Sequence, residues 1–170
     1  MTEQLSPLAL QALAVVEESG AIINANHAHP HTIRHKGRID LVTETDIAVE
    51  AFLKERLATL APQAGFLAEE SAEDLSLPDT CWIIDPVDGT TNFAHGLPLT
   101  VTSVAYRLNG EIVLGIVNAP LLRECFIAEK GKGAWRNGER ISVSSVTACE
   151  NALIAVSYTH LRAHETLMNL

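Results

Sequence analysis

The residues with the clearest chemical potential lie in the string Trp82-Ile83-Ile84-Asp85-Pro86-Val87-Asp88-Gly89-Thr90-Thr91-Asn92-Phe93. An apolar run stops at Asp85, Pro86 fixes the backbone, and Asp88 follows, so one turn can point both carboxylates into the same space. Two anions held that close require a cation. Hard oxygen ligands with no convergent His or Cys select magnesium, or manganese or calcium, over zinc. Gly89-Thr90-Thr91 comes next. Glycine lets the backbone approach a ligand, and N–H groups opening a helix at this point would form an anion site. A cation beside a phosphate cradle is the arrangement phosphoryl transfer needs, because it polarises the phosphoryl oxygens, stabilises the leaving oxygen and activates a water for in-line attack. Two acidic segments lie upstream, Asp40-Leu41-Val42-Thr43-Glu44-Thr45-Asp46 and Glu69-Glu70-Ser71. Taken alone, Asp46 reads as a helix N-cap.

The elements that must position these residues follow from pattern. Ser6-Pro7 opens a helix to about Asn26, with Leu10, Leu13, Ala14, Glu17 and Ala21 at helical spacing. A second helix begins near Asp46, and its stripe of Val49, Phe52, Leu53, Leu57 and Leu60, ending before Pro62, is core. Short apolar runs at 65–68 and 81–84 stop at acidic residues, which places both carboxylate groups at strand ends. Residues 99–108 and 111–118 form strands joined by a type I' turn at Asn109-Gly110, and Asn137-Gly138 joins 133–136 to 140–143. Helices first and a meandering sheet afterwards predict an α+β fold, helices layered on a largely antiparallel sheet.

The bulk composition narrows the function. A chain of 170 residues, 47% hydrophobic, can bury one core. Its net charge of -9 would repel a nucleic-acid backbone, so nucleic acid is excluded as a first partner. Cys81, Cys125 and Cys149 are odd in number and widely spaced, which suggests neither disulfides nor a zinc knuckle and points to a reducing cytoplasm. No basic leader precedes Glu3, and no run is read as reaching bilayer length, so neither export nor a membrane is indicated. His27, His29, His31 and His35 around Pro30 read as a solvated loop, Gly131-Lys132-Gly133 as a tight turn without Walker spacing, and Trp82 and Trp135 as core.

The string Asp85 to Phe93 resembles the signature of the inositol monophosphatase family, and the Asp-Leu-Val-Thr-x-x-Asp and Glu-Glu-Ser elements match it in order and spacing. The resemblance covers roughly residues 5 to 155. It implies a layered α-β sandwich of the sugar-phosphatase type and magnesium-dependent hydrolysis of a small phosphate monoester, with two or three ions in an intact homodimer. By that resemblance Glu69, Asp85 and the Val87 carbonyl hold a first metal, and Asp85 and Asp88 a second. Thr90, paired with Asp46 and helped by Glu69, orients and deprotonates the attacking water. Phosphate would meet the backbone of Gly89 and Thr90 beside Glu69, Val87 and Asp88, while Lys36 and Glu70 stand behind the site. The family's second half carries another metal-binding Asp in a Trp-Asp pair, and neither tryptophan here precedes an Asp. Residues 1–155 are therefore expected to be the metal- and phosphate-binding portion of a domain cut before its C-terminal half. Residues 156–170, which look like a translated sequencing adapter, are expected to be foreign.

Overall fold

The computed structural model describes residues 5–27, 34–35, 41–71 and 77–153. Lys36, Asp40, His29, His31 and the segment 156–170 lie outside the described residues, as does the side chain of His35.

Helix α1 spans Pro7–Asn26 and α2 spans Glu44–Leu60; between them the two-residue strands β1 (Arg34–His35) and β2 (Leu41–Val42) pair antiparallel. A seven-stranded sheet follows in the order β3 (Gly65–Ala68), β4 (Cys81–Asp88), β5 (Val101–Leu108), β6 (Glu111–Ala119), β7 (Glu124–Glu129), β8 (Gly133–Arg136) and β9 (Glu139–Ile141). Only β3 and β4 run parallel. Both Asn-Gly turns place Asn and Gly at positive φ, Asn109 at 52° and Asn137 at 49°, as a type I' hairpin requires. The fold is the expected layered α+β arrangement, with α1 against β5 to β7 and α2 against β4.

Ser6 caps α1 through its hydroxyl, which accepts Ala9 N–H at 3.2 Å, while its own N–H donates to Glu129 on β7 at 2.8 Å. Helix α1 runs over the expected residues, and its buried face is built mostly of small side chains. Ala9, Ala12, Val15, Val16, Ser19, Gly20 and Ile23 are buried, whereas Leu10, Ala14, Glu17 and Ala21 are exposed. Small residues win this face because the sheet lies too close for larger ones; a Cβ on Gly20 would meet Asn118 Nδ2 and Pro120 Cβ at 2.9 Å. The reading that no run reaches bilayer length is corrected by helix α1, which by length and composition alone is long and apolar enough to cross a bilayer. Here its apolar stripe packs into the core instead.

The stripe predicted for α2 holds: Val49, Leu53 and Leu57 are fully buried and meet Trp82 and Ile84 of β4 in one core. Trp135 is buried as predicted, and the Trp82 ring packs on Tyr106 at 4.5 Å. All three cysteines are free, Cys81 and Cys125 being buried. The strand expected from Leu99 begins at Val101, and the one expected to reach Val143 ends at Ile141. Gly131, with φ at 76°, makes the tight turn between β7 and β8.

Candidate functional site

Strand β4 does not stop at its first carboxylate. It continues through Asp88, with a shift in register against β5 between Asp85 and Asp88. Pro86 sits inside that irregularity, where a missing N–H costs no ladder bond. The irregularity is held by hydroxyls from β5 and the residue just before it, since Thr102 Oγ1 donates to Pro86 O and Thr100 Oγ1 to Asp88 O, both at 2.9 Å. Val87 O, the carbonyl between them, instead accepts Thr90 Oγ1 at 2.9 Å. Gly89 then turns the chain into helix α3 (Thr90–Ala94) with φ at 91°, a left-handed conformation; a Cβ there would meet Leu99 O at 2.8 Å. Asn92 and Phe93 do what the sequence suggests. Asn92 Nδ2 donates to Leu99 O at 2.8 Å, and Phe93 is fully buried. His27, expected to be solvated, instead stands over Phe93 with ring centroids 5.8 Å apart and Nε2 buried.

Asp46 reaches this turn from α2. The N-cap is Thr43, not Asp46: Asp46 is the third helical residue, and its Oδ2 accepts the Thr43 N–H at 2.9 Å and the Thr43 hydroxyl in a capping box. Its other oxygen, Oδ1, accepts Thr90 Oγ1 at 3.1 Å. The carboxylate thus divides its two oxygens, one ending the helix and one facing α3. The alternatives of cap and chemistry are not exclusive here. The Thr43-x-x-Asp46 spacing was the sequence signal for the box.

Glu69 follows the end of β3, its N–H donating to Ile84 O at 3.1 Å, which sets it beside Asp85 on the neighbouring strand. Glu70 N–H donates to Glu50 of α2 at 2.8 Å. The structure thus brings Asp46, Glu69, Asp85, Val87, Asp88, Gly89 and Thr90 to one end of the sheet. Glu50, Thr100 and Thr102 are supporting residues that the motif pattern does not reveal.

Burial first, then the charge and hydrogen bonding of Glu69 and the charges of Asp88 and Asp46, push the Asp85 carboxyl up to about 8. Asp85 Oδ1 is buried and accepts no hydrogen bond. Among the described residues no three or more His, Cys, Asp or Glu side chains form a finished cation site. The donor set nevertheless fits a hard divalent cation, because every candidate is an oxygen and one is orphaned.

A pH dependence follows. In metal-free protein Asp85 keeps its proton when folded up to about pH 8 and releases it near 3.8 when unfolded. The native state therefore binds the extra proton between those values, and stability falls as pH rises through that window. Thermal midpoints in EDTA are expected to fall over this range and to fall less with magnesium; in Asp85→Asn the metal-free slope should flatten. An identical slope in that variant would assign the titration elsewhere.

The inositol monophosphatase family matches this chain over residues 4–169, a span that includes the segment expected to be foreign. An inositol monophosphatase of Dictyostelium discoideum is 44% identical over 156 residues, covering 89% of this chain and 57% of that protein. Among solved structures, the Thermotoga maritima IMPase is 38% identical with a TM-score of 0.73, over 78% of this chain and 52% of that one. An IMPase/NADP phosphatase complexed with Mg2+ and phosphate is 27% identical with a TM-score of 0.67, over 75% of this chain and 49% of that one. The chain thus spans about half the length of the relatives it matches.

Proposed function

Because this chain belongs to the inositol monophosphatase family, we propose that the full-length protein is a magnesium-dependent hydrolase of small phosphate monoesters, inositol monophosphate being the substrate to test first. The observation that carries the reading is the hydrogen bond from Thr90 to Asp46 beside an Asp85 oxygen with no partner. Glu69, Asp85, Asp88 and the Val87 carbonyl are the groups that would hold magnesium, which when bound supplies charge neutralisation and Lewis acidity.

The chain's own residues do the rest. Asp46, fully buried, keeps Oδ1 as the acceptor for the Thr90 hydroxyl. The Thr90 hydroxyl has one proton and two acceptors within reach, Val87 O at 2.9 Å and Asp46 Oδ1 at 3.1 Å; when that proton is turned to Asp46, Oγ1 can accept one from an attacking water and pass its own to Asp46. Glu69, exposed just past the end of β3, would help to hold the same water. The backbone N–H groups of Gly89 and Thr90 open α3 and would receive the phosphate oxygens. Lys36 and Glu70 are assigned to support of this site, and a homodimer in a reducing compartment completes the reading.

The test is release of inorganic phosphate from inositol monophosphate, histidinol phosphate, fructose bisphosphate and a nucleotide 3'-phosphate by full-length protein, with and without magnesium. Phosphate binding without release from any of them would favour a non-catalytic regulatory protein. Thr90→Ala is expected to lower kcat on the order of 10²-fold while leaving magnesium affinity within a few-fold of the parent, because the hydroxyl positions water and does not hold the ion. Equal losses of kcat and magnesium affinity would contradict that division of labour.

A further inference from the structure

We propose that Glu50 is a positioning residue for the cation site, clamping the Glu69-Glu70-Ser71 turn to helix α2; this rests on the reading of Glu69 and Asp85 as cation ligands. Glu50 is only 4% exposed, at the border between the buried apolar row Val49, Leu53 and Leu57 and the polar row that begins with Asp46. A buried carboxylate is costly unless its oxygens are used. Among the described residues its cation partner is no bidentate one, since Lys54 Nζ lies 3.9 Å from Oε1. What the carboxylate does receive is the backbone N–H of Glu70, 2.8 Å from Oε2.

That bond falls where the sheet stops supporting the chain. The pairing of β3 with β4 ends at Ala68 opposite Ile84, and the last backbone bond runs from Glu69 N to Ile84 O. Glu70 N–H is the next donor, and Glu50 on α2 accepts it in place of a strand. One turn further along the helix, Lys54 Nζ donates to Ser71 Oγ at 2.9 Å. Asp46, Glu50 and Lys54 are spaced four apart and so stand on one face of α2. That row meets, in order, Thr90 of α3, Glu70 and Ser71. One helix face therefore sets the distance between the residue assigned to the water and the turn carrying Glu69. A glutamate serves here better than an apolar residue because a charged acceptor holds a backbone N–H about twice as strongly as a neutral one.

The experiment uses the full-length protein and magnesium alone as the probe. Calorimetry measures magnesium affinity in the parent, Glu50→Met, Glu50→Gln and Asp85→Asn, and amide exchange is followed in the metal-free proteins. Glu50→Met is expected to weaken magnesium binding by roughly 10- to 100-fold, the range for residues that orient ligands. It should also raise exchange at Glu70 by at least about tenfold while amides of β5 and β6 keep their protection. Glu50→Gln, which keeps an acceptor oxygen, should lie between parent and Met on both readouts. Should Glu50→Met fail to fold, Glu50→Gln and the surface change Lys54→Met are read in its place. Each is then expected to show a smaller shift in the same direction, and parent-like values in both would overturn the proposal. Unchanged magnesium affinity in Glu50→Met, with Asp85→Asn losing it, would overturn the role of Glu50 alone. Unchanged affinity in Asp85→Asn as well would instead sink the cation-site reading beneath it.

Discussion

Replacing Asp85 by Asn is expected to lower magnesium-dependent phosphate release by the full-length protein on the order of 10³-fold, the equivalent of about 4 kcal/mol. The substitution preserves shape and removes charge. Asp85 is the partly buried member of the constellation on which the charge and hydrogen bond of Glu69 and the charges of Asp88 and Asp46 converge. It also owns the buried oxygen with no partner. An asparagine there would offer one neutral oxygen to a dication, and the electrostatic reason for the cation to stay would be largely gone. The loss should appear in magnesium affinity as well as in kcat, which separates it from Thr90→Ala. Titrating magnesium against turnover in the two variants decides the matter; Asp85→Asn with activity within a few-fold of the parent would end its assignment as a shared ligand.

Trp82→Ala is expected to cost about 3–5 kcal/mol of folding stability, the range for removing a large aromatic from a close-packed core. Trp82 is fully buried, stacks on Tyr106 and sits opposite Phe66 in the parallel pairing of β3 with β4. It stands three residues before Asp85 on the same strand. Loss of the ring would therefore loosen the strand that presents the carboxylates, and denaturant midpoints measured with and without magnesium should both fall. Trp82 Nε1 is buried without a hydrogen-bond partner, so the indole contributes by volume and not by its N–H. Trp82→Phe should recover much of the loss. A Trp82→Ala protein with a midpoint close to the parent would show that the core at this point is not close-packed.

Much of this was legible in the sequence because chemistry and turn geometry are local. Asp85, Asp88, Gly89 and Thr90 fall within residues 85–90, so their spacing alone announced their proximity. The two Asn-Gly pairs likewise require φ values that few other residues adopt. The face of α1 was not legible, because alanine, serine and glycine give little hydropathic signal and are chosen for closeness to the sheet. The length of β4 was hidden by Pro86, which reads as a strand end unless an irregularity accommodates it. Glu50 carried no signal either. An isolated glutamate in a helix is ordinarily a solvated one, and only the fold shows that the ladder between β3 and β4 runs out opposite it.

The hydrogen bond from Ser6 to Glu129 joins residues 123 apart, and Asn118 Nδ2 donates to Val16 O across 102. The strands from β5 to β9, by contrast, pair with their immediate neighbours in the chain. Hairpins close in about 1–10 μs, whereas contacts across a hundred residues wait for the whole intervening chain. At synthesis rates of about 5–20 residues per second, Glu129 is made roughly 6–25 s after Ser6. Helix α1 can meet α2 early, but its docking on the sheet waits for β6 and β7. Until then α2 alone can cover it, so the same small-residue stripe that permits tight docking on the sheet limits how greasy the uncovered part of α1 is.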